Sequence, residues 1–309
     1  ETGYDFYVSS DCDVDGTTAV TLMYSYLNET YTHVTPYIPD RYKEGYGVSY
    51  QGIDEAADKG ITLIIALDCG IKAVDKVAYA KQKGIDFIIC DHHRPGPQIP
   101  QAVAVLDPKQ ENCNYPFDEL CGCGVGFKLI QALQVKRGES QRKIYKFLDL
   151  VAIAIGSDIV PIVGENRVLC FYGLKLVNAR KRPGINALLG QTNKKKFSIT
   201  DLVFGVGPRI NAAGRMEHGL YAVKLLSEIQ EEAAQAKALQ IENFNSSRQQ
   251  EDRKTTIEAL AQIETNQETK HYTSVVYKDH WHKGVIGIVA SRLTETYYRP
   301  TLVFTKSGH

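Results

Sequence analysis

Tyr4-Asp5-Phe6-Tyr7-Val8-Ser9-Ser10-Asp11-Cys12-Asp13-Val14-Asp15-Gly16 is the stretch that decides the fold. An apolar and aromatic run over residues 4–9 reads as a strand and ends in three carboxylates at alternate positions. A helical pattern follows over residues 17–28, with Val20, Leu22, Met23 and Leu27 on its apolar side. The same grammar then repeats. Residues 33–38, 61–67, 86–90 and 102–106 read as strands, with helices over 52–59 and 73–83. Several of these runs are apolar nearly throughout, as parallel strands covered on both faces require. The alternation predicts an α/β fold with a doubly wound parallel sheet.

Beyond about residue 125 the pattern becomes helical, over residues 126–137, 140–155 and 168–179. Residues 181–193, with Pro183 and Gly184, read as loop, and Lys194-Lys195-Lys196 follows. Residues 204–215 are rich in Gly and Ala. The stretch 222–263 is helical and polar over much of its surface, which suits a connector; residues 243–247 are where it would break. A strand at 271–277, a helix at 285–296 and a strand at 301–304 open a second, smaller α/β domain. The domain reading is therefore 1–221, a connector over 222–263, and an incomplete domain over 264–309. Both ends look cut, so the chain reads as part of a longer protein.

Composition narrows the function. Hydrophobic residues at 43% and charged residues at 23% are globular usage and exclude disorder as the main state. Lys+Arg and Asp+Glu are both 36, so a polyanion must be gripped by a local patch rather than by net charge. The apolar runs fall short of the roughly 20 residues a membrane span needs. Seven scattered cysteines imply no disulfide scaffold and suit a reducing, cytoplasmic setting. Cys121 and Cys123 have no matching second pair, which argues against a structural zinc site.

The chemistry lies in the acids and histidines. Asp11, Asp13 and Asp15 point the same way if the backbone is extended, and three packed anions are costly without cations. An acidic turn or a calcium loop is the competing reading. A calcium loop starting at Asp11 would need a bidentate Glu where Leu22 stands. Asp68 follows the third strand, where an N-cap is the plain alternative. Asp91-His92-His93 follows the fourth strand, and Asp158 lies between apolar residues, where a helix-end cap is the alternative. Carboxylate ends of strands in open α/β sheets are where sites form. Oxygen-rich ligation with some imidazole suits Mn²⁺ or Mg²⁺, and two such ions about 3.5–4 Å apart support phosphoester hydrolysis.

With Asp11-x-Asp13-x-Asp15-Gly16 and Asp91-His92-His93, the chain resembles the DHH phosphoesterase superfamily. The match narrows to RecJ-type single-strand-specific exonucleases through an ordered series of further motifs. These are Tyr37-Ile38-Pro39-Asp40-Arg41 with Glu44-Gly45-Tyr46-Gly47, Ser157-Asp158-Ile159-Val160-Pro161, Pro208-Arg209-Ile210-Asn211-Ala212-Ala213-Gly214-Arg215, and Trp281-His282-Lys283-Gly284. The resemblance implies a DHH catalytic domain, a connector helix and a DHHA1-like substrate-binding domain. It implies two Mn²⁺ or Mg²⁺ ions on Asp13, Asp15, Asp68, His92 and Asp158, with Asp11 at the first acidic position. Asp68 would bridge the ions, His93 would stand near the scissile phosphate, and Asp91 is a further catalytic candidate. The family usually has Gly-Asp-Tyr-Asp where this chain has Ser10-Asp11-Cys12-Asp13.

The implied activity is 5′ to 3′ hydrolysis of single-stranded DNA in repair and recombination, with a single-strand-binding protein and a helicase as partners and no membrane. Arg209, Asn211, Arg215, His282 and Arg292 are the substrate-binding candidates, one of Arg209 and Arg215 for the 5′ phosphate. A packed turn with two surface arginines is the plain reading of that segment. Tyr37, Tyr42 and Tyr46 near Arg41 can stack bases or simply pack. The rival activities are a DHH phosphatase or phosphodiesterase of oligoribonucleotides or cyclic dinucleotides, and a non-catalytic replication scaffold that has lost ligands. All the acidic and histidine positions are present, which opposes the scaffold.

Overall fold

The computed structural model describes residues 5–190 and 194–307; Tyr4 of the first predicted strand and residues 191–193 of the predicted loop lie outside the described residues. Strands β1 (Phe6–Ser10), β2 (Val34–Tyr37), β3 (Leu63–Leu67), β4 (Asp86–Cys90) and β5 (Ala104–Leu106) make one sheet in the order β2-β1-β3-β4-β5. All four pairings are parallel. Helices α1 (Val14–Leu27), α2 (Tyr50–Asp58) and α3 (Val74–Gln82) make the crossovers.

Side chains alternate between two cores. Phe6, Val8, Ile65, Leu67 and Cys90 face the larger one, under α1, α4 (Gly122–Lys136) and α5 (Leu148–Ser157). Tyr7, Ile64, Ala66, Phe87 and Ile89 face the other, under α2 and α3. Both faces are therefore dry, which explains why the strands read as unbroken apolar runs. Register matters for the site. Ser10 pairs with Leu67, Leu67 with Cys90 and Cys90 with Leu106, so the four strands end level. Their next residues are Asp11, Asp68, Asp91 and Asp107. The strand order reverses between β1 and β3, the crevice where open sheets bind ligands.

The helical part comprises α6 (Gly164–Asn178), α7 (Pro183–Leu189), α8 (Ile199–Asp201) running into a π-helical stretch at Leu202–Val206, α9 (Gly207–Met216) and α10 (Leu220–Leu226). Residues 183–189 are thus helix rather than the predicted loop. Pro183 occupies the first helical turn, where its missing N–H costs nothing and its fixed φ helps. The Gly/Ala segment is α9, and its small residues serve packing: a Cβ on Gly214 would stand 2.7 Å from the Cys12 carbonyl oxygen.

The connector α11 (Glu231–Thr265) is one unbroken helix. The break falls at residues 227–230, not at 243–247 as the sequence suggests, and residues 222–226 belong to α10. Its buried stripe runs Ala234, Ala238, Ile241, Asn245, Asp252, Thr255, Ala259, Ile263. That heptad-like spacing is apolar at both ends, where α11 meets the two lobes, and polar in the middle, where it bridges them. The second lobe holds β6 (Ser274–Tyr277), α12 (Lys283–Tyr297) and β7 (Thr301–Phe304), with β6 and β7 parallel. Trp281 anchors it to α11: the indole packs among Ala259, Ile263 and Val289, and Nε1 donates to Glu258 Oε2 at 2.8 Å. Among the described residues no helix is long and apolar enough to cross a membrane.

Candidate metal centre

The three acids after β1 do not share a face. Asp13 is the N-cap of α1 and accepts from Gly16 N at 2.9 Å, so the chain turns helical before Asp15. The extended-backbone argument therefore fails at Asp15, and the three carboxylates diverge. Asp11 reaches sideways and accepts from Gly47 N. Asp13 stays exposed at the mouth. Asp15 points inward and accepts from Gly122 N at 2.6 Å and Cys123 N at 2.8 Å, the first N–H groups of α4. Helix α4 thus lends Asp15 its positive end.

Asp68 caps nothing: α3 starts at Val74 with Ala73 as its cap. Instead Asp68 holds a left-handed backbone, φ +56°, uncommon for a residue with a Cβ and typical of functional turns. Asp158 is the C-cap of α5, the end where a negative charge is least welcome. His92 Nε2 lies 3.1 Å from Asp68 Oδ1, 3.6 Å from Asp158 Oδ2 and 3.8 Å from Asp15 Oδ2. Two three-residue groups result, Asp68/His92/His93 and Asp15/His92/Asp158, each with ligand atoms within 4.8 Å of one another. Asp11 and Asp13 stand outside both groups. His93 stands inside one, although the sequence comparison put it on the phosphate.

Electrostatics make this a cage in need of a cation. Burial first, then Asp158 and Asp13, pushes the Asp15 carboxyl up to about 8. Burial, Asp15 and Asp13 raise Asp68 well above the carboxylate range. Asp158 rises to about 6 through burial and then Asp13. Burial, then the charges of His93 and Lys109, holds His92 down at about 4, so its imidazole is neutral at pH 7. His92 Nε2, Asp68 Oδ1 and Asp158 Oδ2 are buried without a hydrogen-bond partner. Buried polar atoms are normally paired, and a lone pair facing several carboxylate oxygens is repulsive unless a cation sits among them. The donor set, carboxylate oxygens with one or two imidazoles, fits Mn²⁺ or Mg²⁺.

Asp91 is the opposite kind of acid. Its Oδ1 accepts from His92 N, His93 N and His93 Nδ1, the last at 2.8 Å, and its Oδ2 accepts from Ile71 N. Burial pushes its pKa up, but the bonds from His93 and Ile71 outweigh that and hold it below the usual range. The paired carboxylate in turn raises His93 and fixes its Nδ1 as the donor.

The substrate candidates are already engaged in part. Arg209 pairs with Glu242 on α11 and donates Nη1 to the Gly205 carbonyl. Arg215 donates Nη1 to Gly284 O at 3.2 Å. His282 caps α12, its Nδ1 accepting from Gly284 N at 3.0 Å. Arg292 donates Nη2 to the buried Asp252 at 2.7 Å. Asn211 is half-buried on α9. None of these five belongs to either ligand group. The sequence reading passed over Asp107, at the end of β5. It is 3% exposed, with Oδ2 unpartnered, and burial lifts it to about 6. The signal was available: Leu106-Asp107 repeats the strand-then-Asp pattern of the other three strand ends.

Comparison with known proteins points the same way. Residues 5–155 match the DHH family, N-terminal domain. The chain is 39% identical over 303 residues to the single-stranded-DNA-specific exonuclease RecJ of Bacillus subtilis, covering 96% of this chain and 37% of that protein. It is 34% identical to the RecJ of Escherichia coli, over 99% of this chain and 56% of that protein. A crystal structure of exonuclease RecJ bound to manganese superposes with a TM-score of 0.87 at 29% identity, covering 98% of this chain and 76% of that one. The chain thus spans between a third and three fifths of the length of these two curated relatives.

Proposed function

We propose that the chain belongs to the DHH family, in its RecJ-type branch, and that it hydrolyses single-stranded DNA from a 5′ end with two Mn²⁺ or Mg²⁺ ions. One observation carries the reading. Asp15, Asp68, Asp158 and His92, drawn from four separate segments, converge on one point, and Asp68 Oδ1, Asp158 Oδ2 and His92 Nε2 are buried there without a hydrogen-bond partner. These four would hold the ions, with Asp13 and Asp11 beside them at the open side. Bound there, such ions activate water and neutralise charge on a phosphoryl group.

The protein's own groups do the rest. Asp91 keeps the His93 proton on Nδ1 and favours the imidazolium, so His93 Nε2 presents a second proton to a non-bridging or leaving oxygen. Arg41 lies over the Tyr46 ring at 4.9 Å from the centroid, and Tyr46 is 57% exposed. A guanidinium for phosphate beside an open ring for a base is the pairing a single strand needs. Arg215 and Arg292, where α9 and α11 meet α12, supply positive charge further along, beside His282. A cleft between two lobes admits one strand more readily than a duplex. A single-strand-binding protein and a helicase, which present or create such strands, are the partners we propose, in repair and recombination within a reducing cytoplasm.

The deciding assay is hydrolysis of a 5′-phosphorylated single-stranded oligonucleotide with Mn²⁺, beside a duplex, an oligoribonucleotide and a cyclic dinucleotide. Single-strand degradation from the 5′ end, lost in Asp68→Asn, supports the reading. Preference for either small substrate, or strand binding with no hydrolysis, overturns it. An anomalous-scattering map after a Mn²⁺ soak would count the ions and name their ligands.

A further inference from the structure

Residues 38–49 join β2 to α2 as irregular chain, yet they are fixed by one carboxylate. Glu44 Oε1 accepts from Asp40 N at 2.7 Å. Glu44 Oε2 accepts from Tyr37 Oη at 2.5 Å and from Ser49 Oγ at 2.6 Å. Tyr37 is the last residue of β2, its ring stacked on Tyr7 with centroids 5.3 Å apart. Ser49 is the N-cap of α2 and accepts from Gly52 N at 2.9 Å. Glu44 therefore ties a strand end, a loop turn and a helix start to a single point.

What the loop presents is aimed at the site. Gly47 donates its N–H to Asp11, a reach that uses a left-handed backbone, φ +76°. Arg41 donates to Tyr46 Oη and lies over that ring. Tyr42 Oη donates to the Arg215 carbonyl at 2.7 Å, fastening the loop to α9. Other bonds hold parts of the segment, among them Tyr42 N to Asp40 Oδ1 and Lys76 Nζ to the Val48 carbonyl, but the three bonds to Glu44 are what join its two ends.

We propose that Glu44 is a positioning residue for strand binding, holding the 38–49 loop so that the Gly47 N–H meets Asp11 and the Arg41–Tyr46 pair stands at the mouth of the cage. Glu44 touches neither the cage nor the strand. Its removal strips the common acceptor from Tyr37, Ser49 and Asp40, and Gly45 and Gly47, at φ +85° and +76°, let the freed backbone swing. Arg41 and Tyr46 then lose their fixed presentation, while Asp15, Asp68, Asp158 and His92 keep theirs.

The inference rests on the nuclease reading for its consequence but not for its geometry, and two measurements keep these apart. In Glu44→Ala, KM for a 5′-phosphorylated single strand rises about tenfold, as loss of charge-assisted hydrogen bonds warrants, with kcat and Mn²⁺ affinity within about threefold of the parent. Amide exchange at Gly47 speeds at least about tenfold while β3 and β4 amides stay protected. Glu44→Gln rescues both, because its amide still accepts from Asp40 N and can donate to the Tyr37 and Ser49 oxygens. A merely structural role would lower the melting temperature and the active fraction without moving KM.

The inference is overturned if Glu44→Ala keeps both KM and Gly47 exchange within twofold, or if Glu44→Gln fails as completely as Glu44→Ala. A parent protein that neither binds nor cuts single strands sinks the nuclease reading, and Gly47 exchange alone then decides whether Glu44 holds the loop. Should Glu44→Ala not fold, Tyr37→Phe combined with Ser49→Ala removes both hydroxyl donors and carries the same expectation.

Discussion

Gly122→Ala should disable the metal centre without touching a ligand. A Cβ on Gly122 would lie 2.4 Å from Asp68 Cβ, 2.6 Å from Asp68 Cα and 2.7 Å from Asp68 Oδ1. Carbon atoms rest at about 3.5 Å or more, so Asp68 or the start of α4 must retreat by about 1 Å. The start of α4 cannot retreat alone, because Gly122 N also holds Asp15 Oδ2 at 2.6 Å. Overpacking of this kind costs about 1–3 kcal/mol. For a domain of this size that is a fall of roughly 2–12 °C in melting temperature, which leaves the protein folded. Metal sites tolerate about 0.2 Å of ligand displacement, several times less than the shift demanded here. Mn²⁺ affinity should therefore fall by at least about tenfold to a hundredfold, and cleavage with it.

Gly124→Ala, two residues further into the same helix, is the control. Its Cβ would meet Leu120 and Cys121 at 3.5 and 3.6 Å, ordinary contact. Isothermal titration with Mn²⁺, beside a thermal melt for each variant, makes the comparison. Gly122→Ala binding Mn²⁺ within about twofold of the parent would refute the claim that α4's approach sets the Asp68–Asp15 geometry.

Further expectations concern charge. Asp15, Asp158 and Asp68 have folded pKa values above the unfolded value of about 3.9, so the stability these three contribute to the metal-free protein is fully present below that value and is lost as pH rises through about 6 and about 8. Melting in EDTA should fall between pH 5 and 8 and Mn²⁺ should raise it more at pH 8 than at pH 5; a flat or rising EDTA profile would contradict the cage. Asp91→Asn cannot accept on both oxygens, so His93 loses its fixed tautomer. Cleavage should drop about 10–100-fold, with Mn²⁺ affinity nearly retained, and parallel loss of both would show that Asp91 supports the cage instead. Arg41→Ala should reduce the salt slope of strand binding by about one counterion, whereas Arg209→Ala, already paired with Glu242, should leave it unchanged; the reverse result would exchange their roles.

The sequence analysis and the structure disagree in instructive places. The substrate arginines were read from residue type beside small residues. In the folded chain Arg209 spends its guanidinium on Glu242 and the Gly205 carbonyl, and Gly214 of α9 faces Cys12. Residue type marks a cation, but its partner lies 33 positions away and is chosen by how α9 packs on α11. Likewise Asp68 and Asp158 each had a plausible reading as helix caps. The first was removed by where α3 begins, whereas Asp158 does sit at a helix end, as the C-cap of α5, and still turns its carboxylate to His92.

By itself the sequence determined the parallel sheet, through strands apolar on both faces, and the acids and histidines at the ends of β1, β3 and β4. Those features depend on local alternation and on period, which a chain carries wherever it goes. Only the tertiary structure decided which acids converge. Asp15 turned inward because α1 begins at Val14, and α4, more than a hundred residues later, offered it two backbone donors. Asp11 and Asp13 were left at the rim by the same turn. Distances between charges set the chemistry of this site, and those distances are fixed by packing between segments far apart in the chain, on which spacing along the sequence is silent.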